Sequence, residues 1–307
     1  MRIEILGSAA GGGFPQWNCS CANCHSLRAG TFHGTARTQT QVAVRSRDPS
    51  WFLLNASPDL RVQIERNFAL HPNRGSRNSP LAGVVLTSAD LDHVVGLLSL
   101  RELQPFRVYS TPAVQRILRQ DNTVFRMLNR QANQVAWTDI RPGERFALTP
   151  MTGEDSGLRC EAFSLGSRYP IYVHEKAGLG PDEATLGLVV TAVTGSRLAY
   201  LPAAPAIDQT LIEQLETADL VLFDGTFWSD DELIRIQGGG ATAREMGHIP
   251  VSSLEGSLKR LARLRKPRKI YIHVNNTNPM LDESSAEYRE VRAAGWEIAE
   301  DGWRVDL

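Results

Sequence analysis

Short apolar runs alternate with longer amphipathic stretches along this chain, and the alternation occurs twice. "RIEIL" (Arg2–Leu6), "TQVAVRS" (Thr40–Ser46) and "WFLLNAS" (Trp51–Ser57) predict early strands. "SPDLRVQIERNF" has helical spacing, with Pro58 near its start. "GVVLTS" (Gly83–Ser88) opens on an unbroken apolar run, which predicts a central strand buried on both faces. "DHVVGLLSLREL" predicts the helix behind it. "FRVYS" predicts another strand, and "TPAVQRILRQ" a helix with a Thr–Pro start.

The middle, residues 130–187, is rich in glycine, proline and charge, with short strands and the longest loop. Strands return at "LGLVVTAV", "RLAYLP", "DLVLFDG" and "KIYIHV". Helices are predicted at "AIDQTLIEQLETA", "VSSLEGSLKRLARL" and Ser284–Ala294. "WEIAEDGWRVDL" reads as a closing hairpin around Asp301-Gly302. Two sets of strands, each followed by helices, predict an α/β fold of two facing sheets with helices outside. That is a four-layer αββα sandwich with its site at the sheet edges. No segment reads as a linker, so one domain spanning residues 1–307 is expected.

Composition narrows the function classes. Apolar residues are 42% and charged residues 22% of the 307, enough for a well-buried core. A net charge of −1 argues against a nucleic-acid or membrane-surface binder. No window approaches the ~18 consecutive apolar residues of a membrane-spanning helix. The N-terminal run alternates and lacks a secretory apolar core, so a cytoplasmic location is expected.

Three of the four cysteines, Cys19, Cys21 and Cys24, are spaced C-x-C-x-x-C in "NCSCANCH". Such clustering argues for a metal, since a disulfide framework would spread its cysteines. Three thiolates on one turn supply three corners of a closed, tetrahedral, structural Zn2+ site. The fourth corner comes from elsewhere, with His25, His273 and Asn276 as candidates. Cys160 lies in a predicted strand, which leaves an iron–sulfur cluster without its fourth thiolate.

In "SADLDH", Asp90, Asp92 and His93 follow a buried strand, where α/β proteins place ligand groups. Two carboxylates and an imidazole form a mixed oxygen and nitrogen set that suits Fe2+ or Mn2+ as well as Zn2+. The plainer alternative is an aspartate N-cap with His93 in the first helical turn. His273 ends another apolar strand and is the partner such a site needs. Asp59, Asp224 and His248 are further polar groups in apolar surroundings, each equally readable as a turn or cap residue. The three glycines of "GSAAGGGFPQW" match no nucleotide-binding pattern and favour close passage of the backbone by a site or a tight loop.

Taken together, "ASPD", "LTSADLDHVVGLLSLRE", "LAYLPAAP", "VLFDGTFWSDDEL", "MGHIPV" and "IYIHVNNTNP" resemble the metallo-β-lactamase fold superfamily. With "GSAAGGGFPQWNCSCANC" added, the chain is similar, from Gly7 to its end, to the family of pyrroloquinoline quinone (PQQ) biosynthesis protein B. The superfamily's ligand loop is H-x-H-x-D-H. Here Ser88 and Asp90 stand at the first two histidines, while Asp92 and His93 keep their places. His273 matches the last histidine, Ala203 stands at the later aspartate, and no middle histidine is evident. The resemblance therefore implies one metal, held by Asp90, Asp92, His93 and His273, in place of a two-zinc hydrolase site. It assigns a structural zinc to Cys19, Cys21 and Cys24.

The family's implied role is in PQQ biosynthesis. The activity implied is an iron-dependent oxygenase that uses Fe2+ and O2 to hydroxylate the tyrosine ring of a Glu–Tyr-derived precursor. Arg37, Arg61 and His248 are candidate holders of the substrate's carboxylates. Other PQQ biosynthesis proteins and a second copy of the chain, as a homodimer, are candidate partners. Two alternatives differ in class. A carrier of PQQ toward the periplasm would bind quinone without the metal ligands. A metallo-hydrolase would turn over esters with Zn2+ or Mn2+.

Overall fold

The structure, a computed structural model, describes residues 1–75 and 77–307. The chain divides into two compact units. The first comprises Met1–Leu6, Gln41–Ser196 and Gly302–Leu307; the second comprises Gly7–Thr40 and Arg197–Asp301.

The first unit carries a seven-stranded sheet. In chain order its strands are β1 (Arg2–Gly7), β2 (Gln41–Arg45), β3 (Trp51–Leu54), β4 (Leu81–Val85), β5 (Phe106–Ser110), β6 (Val135–Asp139) and, last, β14 (Trp303–Asp306). Their spatial order is β14-β1-β2-β3-β4-β5-β6. β3, β4, β5 and β6 pair in parallel, whereas β1 with β14 and β2 with β3 pair antiparallel. β7 (Arg145–Leu148), β8 (Leu158–Gly166) and β9 (Thr185–Ala192) form an antiparallel run in the middle of the chain. Every residue of β4 is buried between two parallel neighbours, which is why its sequence shows no alternation. Its core neighbours include Trp51, Leu53, Leu86, Val94, Leu97, Phe106 and Ile117.

The second unit carries four parallel strands: β10 (Arg197–Leu201), β11 (Leu220–Asp224), β12 (Arg268–Ile272) and β13 (Trp296–Ile298), adjacent in that order. Tyr271 stacks on Trp296 at 4.2 Å and Phe223 meets the same indole edge-on, so large rings fill this core. The expected closing hairpin does not form. Trp296–Ile298 pairs in parallel with β12, and Trp303–Asp306 pairs with β1. The reason lies in the turn. The Asp301 carboxylate accepts from the N–H and Oγ1 of Thr38, each at 2.7 Å, and from Ser8 Oγ at 2.9 Å. Gly302, at φ 86°, then donates its N–H to Ile5 O.

The helices are short: α1 (Ala22–Arg28), α2 (Leu60–Arg66), α3 (Leu91–Val94), α4 (Pro112–Arg116), α5 (Gln209–Glu216), α6 (Glu232–Gln237), α7 (Ser257–Arg260) and α8 (Ala286–Ala293). The helix expected from Asp92 to Leu103 is α3 followed by a 3-10 stretch. There the chain presses against the Ala56–Ser57 backbone. Ala56 donates to His93 O and Gly96 to Ala56 O, and a Cβ on Gly96 would stand 2.2 Å from Ser57 O. No helix among the described residues is long and apolar enough to cross a membrane.

Candidate metal centres

Three groups of residues could hold a metal, and the first two sit where loops leave parallel strands, the usual ligand-bearing position in α/β sheets.

The first follows β4. Thr87 is held by Asn55, a left-handed residue at φ 68°, whose Oδ1 accepts the Thr87 N–H at 2.8 Å and Oγ1 at 3.0 Å. From the long loop, Leu186 donates to Thr87 O and the Tyr172 hydroxyl donates to Ala89 O. Ser88 Oγ lies 2.6 Å from Asp90 Oδ2 and 2.8 Å from His93 Nδ1. His93 is 2% exposed, and its Nε2 lies 4.0 Å from Asp92 Oδ2. Asp92 and His93 therefore meet on one side of the loop. Asp90, expected beside them as a ligand, turns its carboxylate to Ser88. It belongs to no group of adjoining metal-ligating atoms among the described residues.

The second group lies at the ends of β11 and β12. Asp224 is fully buried and accepts four hydrogen bonds. Oδ1 takes the N–H of Thr226 at 3.0 Å and its Oγ1 at 2.6 Å; Oδ2 takes Ala204 N–H at 2.8 Å and His248 Nδ1 at 2.8 Å. Burial pushes the carboxyl upward, but the two imidazoles and Thr226 outweigh it and hold Asp224 below the usual carboxylate range. Thr226 Oγ1 also lies 2.8 Å from His273 Nδ1. The two rings stack with centroids 5.4 Å apart. Since Asp224 accepts only, the His248 Nδ1 facing it carries a proton, and the lone pair is left on Nε2. A carboxylate or hydroxyl behind Nδ1 is the support that metal-ligating histidines commonly have. His273 was legible as a strand-end ligand candidate; His248 was noted as a substrate contact, and its pairing with Asp224 across 24 residues has no local signal.

The third group is the cysteine cluster. Cys21 caps α1, and the sulfurs of Cys19, Cys21 and Cys24 all lie within 4.8 Å of one another. The side-chain amide of Asn276 stands against all three, at 3.1, 3.7 and 3.3 Å. For tetrahedral zinc with sulfur and oxygen donors, edges of roughly 3.5 Å follow from the bond lengths. The amide therefore stands at the position a fourth ligand would take, and rotating it by half a turn would present Oδ1 inward. His25 is exposed on α1 and belongs to no ligand group among the described residues. Burial pushes the Cys21 thiol up to about 12. On Cys19, burial is outweighed by hydrogen bonds from Cys21, Cys24 and Asn276, which hold its thiol below the ordinary value. A cation beside Cys21 would offset the burial that disfavours its thiolate.

Of the proposed carboxylate holders, Arg37 is 4% exposed and donates to Ala299 O at 2.6 Å, with Glu300 at 3.9 Å, so its guanidinium is committed inside the second unit. Arg61 is exposed on α2.

One further carboxyl braces the 275–278 segment. Glu232, 3% exposed, accepts from Trp228 N–H at 2.6 Å and from Thr277 Oγ1, which Asn275 Nδ2 also reaches. Burial pushes it up to about 7 against those hydrogen bonds. A carboxyl whose folded pKa lies above its unfolded 4.5 stabilises fully below that value, and the contribution is lost as pH rises through about 7. Glu232→Gln is therefore expected to be more stable than the parent at about pH 8, by up to about 3 kcal/mol. The gap should close toward about pH 4.5 in urea unfolding. Identical pH dependence of the two proteins would contradict this.

Residues 50–274 match the beta-lactamase superfamily domain. The chain is 42% identical to the coenzyme PQQ synthesis protein B of Methylorubrum extorquens over 309 residues, covering both chains fully. It is 43% identical to that of Rhodopseudomonas palustris over 312 residues, again with full coverage of both. The crystal structure of Zn2+-bound PqqB from Methylobacterium extorquens is similar at a TM-score of 0.91 and 41% identity, covering 100% of each chain.

Proposed function

Because this chain belongs to the coenzyme PQQ synthesis protein B family, with the metallo-β-lactamase fold, we propose that it hydroxylates the tyrosine ring of a Glu–Tyr-derived PQQ precursor. In the first unit Asp92 and His93 would be ligands of a single Fe2+; in the second unit His273 would be a ligand, and Cys19, Cys21, Cys24 and Asn276 would hold a structural Zn2+. The observation that carries the reading is the donor chemistry. His93 and His273 each turn Nδ1 to a hydroxyl, and Asp92 brings a carboxylate to 4.0 Å from His93 Nε2. Such a mixed imidazole and carboxylate set, short of a full shell, is how non-haem iron proteins leave positions open. The Zn2+ bound by the Methylobacterium extorquens relative is compatible with either set.

Bound Fe2+ would supply activation of O2. The protein's own residues supply the rest. Asp224 holds His248 with Nδ1 protonated, so Nε2 is set to take the phenolic proton or a ring proton. Buried Thr226 ties His273 to the same carboxylate, so both imidazoles keep one orientation.

The test is anaerobic loading with Fe2+ followed by 18O2, a Glu–Tyr substrate and a two-electron reductant, read by mass spectrometry. One 18O atom is expected in the ring, the other leaving as water. Iron-loaded protein that inserts no oxygen would sink the oxygenase reading. Tight quinone binding that survives His93→Ala and His273→Ala would favour a carrier instead.

A further inference from the structure

We propose that Ser88 and Asp90 do not ligate a metal but fix the tautomer of His93, as a relay running Asp90–Ser88–His93. The inference rests on the proposed metal site for one point, that His93 ligates through Nε2. The relay itself follows from a proton count. An ionised carboxylate only accepts, so the 2.6 Å contact between Ser88 Oγ and Asp90 Oδ2 uses the single proton of the serine hydroxyl. Toward His93 Nδ1, at 2.8 Å, Ser88 can then only accept. Nδ1 carries the proton, and the lone pair falls on Nε2, the nitrogen nearer Asp92. Ser88 Oγ also takes the Asp90 N–H at 3.2 Å, which completes its one donor and two acceptor positions.

The surroundings hold this arrangement. Thr87 Oγ1 flanks Nδ1 at 3.5 Å, but its hydroxyl proton is directed to Asn55 Oδ1, so it does not compete as a donor. Tyr172 and Leu186 anchor the carbonyls of Ala89 and Thr87 on either side of Ser88. Positions 88 and 90 thus support a ligand, a role in which substitution commonly lowers metal affinity 10–100-fold.

Three variants separate the relay from direct ligation. Ser88→Ala removes the acceptor for Nδ1–H. Asp90→Ala releases the serine proton, which can then be donated to Nδ1, moving the imidazole proton to Nε2. Asp90→Asn keeps one acceptor oxygen for Ser88, removes the charge and places an NH2 where the other oxygen stood. In anaerobic Fe2+ titrations the first two are expected to bind about 10–100-fold more weakly, and Asp90→Asn close to the parent. The cysteine cluster is common to all and cancels in the comparison. Imidazole 15N spectra of metal-free protein give an independent readout, the His93 signal being identified by its loss in His93→Gln. Nδ1–H is expected in the parent and Nε2–H in Asp90→Ala. Loss of Fe2+ binding in Asp90→Asn with an unaffected Ser88→Ala would overturn the relay and make Asp90 a ligand. A parent that binds no Fe2+ would defeat the metal reading, and the 15N tautomers would still decide the relay.

Discussion

Replacing Cys21 by serine is expected to release about one equivalent of zinc from the purified protein and to lower its stability by several kcal/mol. Structural zinc binding is coupled to folding, so free energy held in the metal–thiolate bonds is lost from the folded state. The local geometry makes the effect large. Cys21 caps the helix that carries Cys24, and Asn276 touches all three sulfurs from a segment three residues beyond His273. Asn23 adds bonds to the carbonyls of Asn276 and Asn278. Loss of the cation therefore loosens two stretches of chain at once. Metal analysis with urea unfolding, each with and without chelator, measures it. A parent protein that carries no metal, and whose unfolding ignores the chelator, would remove the basis for a zinc site.

That cluster was legible because its residues are neighbours in sequence. The C-x-C-x-x-C spacing alone argues for a metal, whereas the fourth corner was open among His25, His273 and Asn276. Only tertiary structure sets an amide 252 residues away against Cys24. The apolar strand before "SADLDH" was equally plain, since a strand buried on both faces needs no polar alternation. Periodicity misjudged lengths where backbone contacts intervene. Gly96 lets the chain after His93 press onto Ser57, and the helix gives way to a 3-10 stretch. "VSSLEGSLKRLARL" forms a helix only over Ser257–Arg260, where Gly256 passes against the carbonyls of Val251 and Ser252. Asp90 shows the limit of motif reasoning. Its place in the superfamily pattern suggests a ligand, while the hydroxyl two residues earlier takes its carboxylate.

The largest kinetic effect away from the proposed ligands is expected for Asp224→Asn. The carboxylate accepts from four donors, two on each oxygen. An asparagine has one acceptor oxygen, so its NH2 must face either the Thr226 pair or the pair formed by Ala204 N–H and His248. In the first case two Thr226 donors lose their acceptor inside the core. In the second, His248 Nδ1 meets a donor and must become the acceptor, which moves its proton to Nε2. In the second case His248 no longer presents Nε2 as a base; in the first it keeps Nε2 but loses the negative charge behind Nδ1. If His248 handles a proton in the reaction, the rate should fall about 10²–10⁴-fold, the usual contribution of such a group. Substrate affinity should change far less, whereas Fe2+ affinity is expected to fall about 10–100-fold because Thr226 ties His273 to this carboxylate, so rates are compared at saturating Fe2+. Leaving a buried donor without its acceptor also costs about 1–3 kcal/mol, so folding must be followed in parallel. Asp224→Asn protein that is folded, Fe2+-replete and as fast as the parent would show that the dyad only braces the second unit.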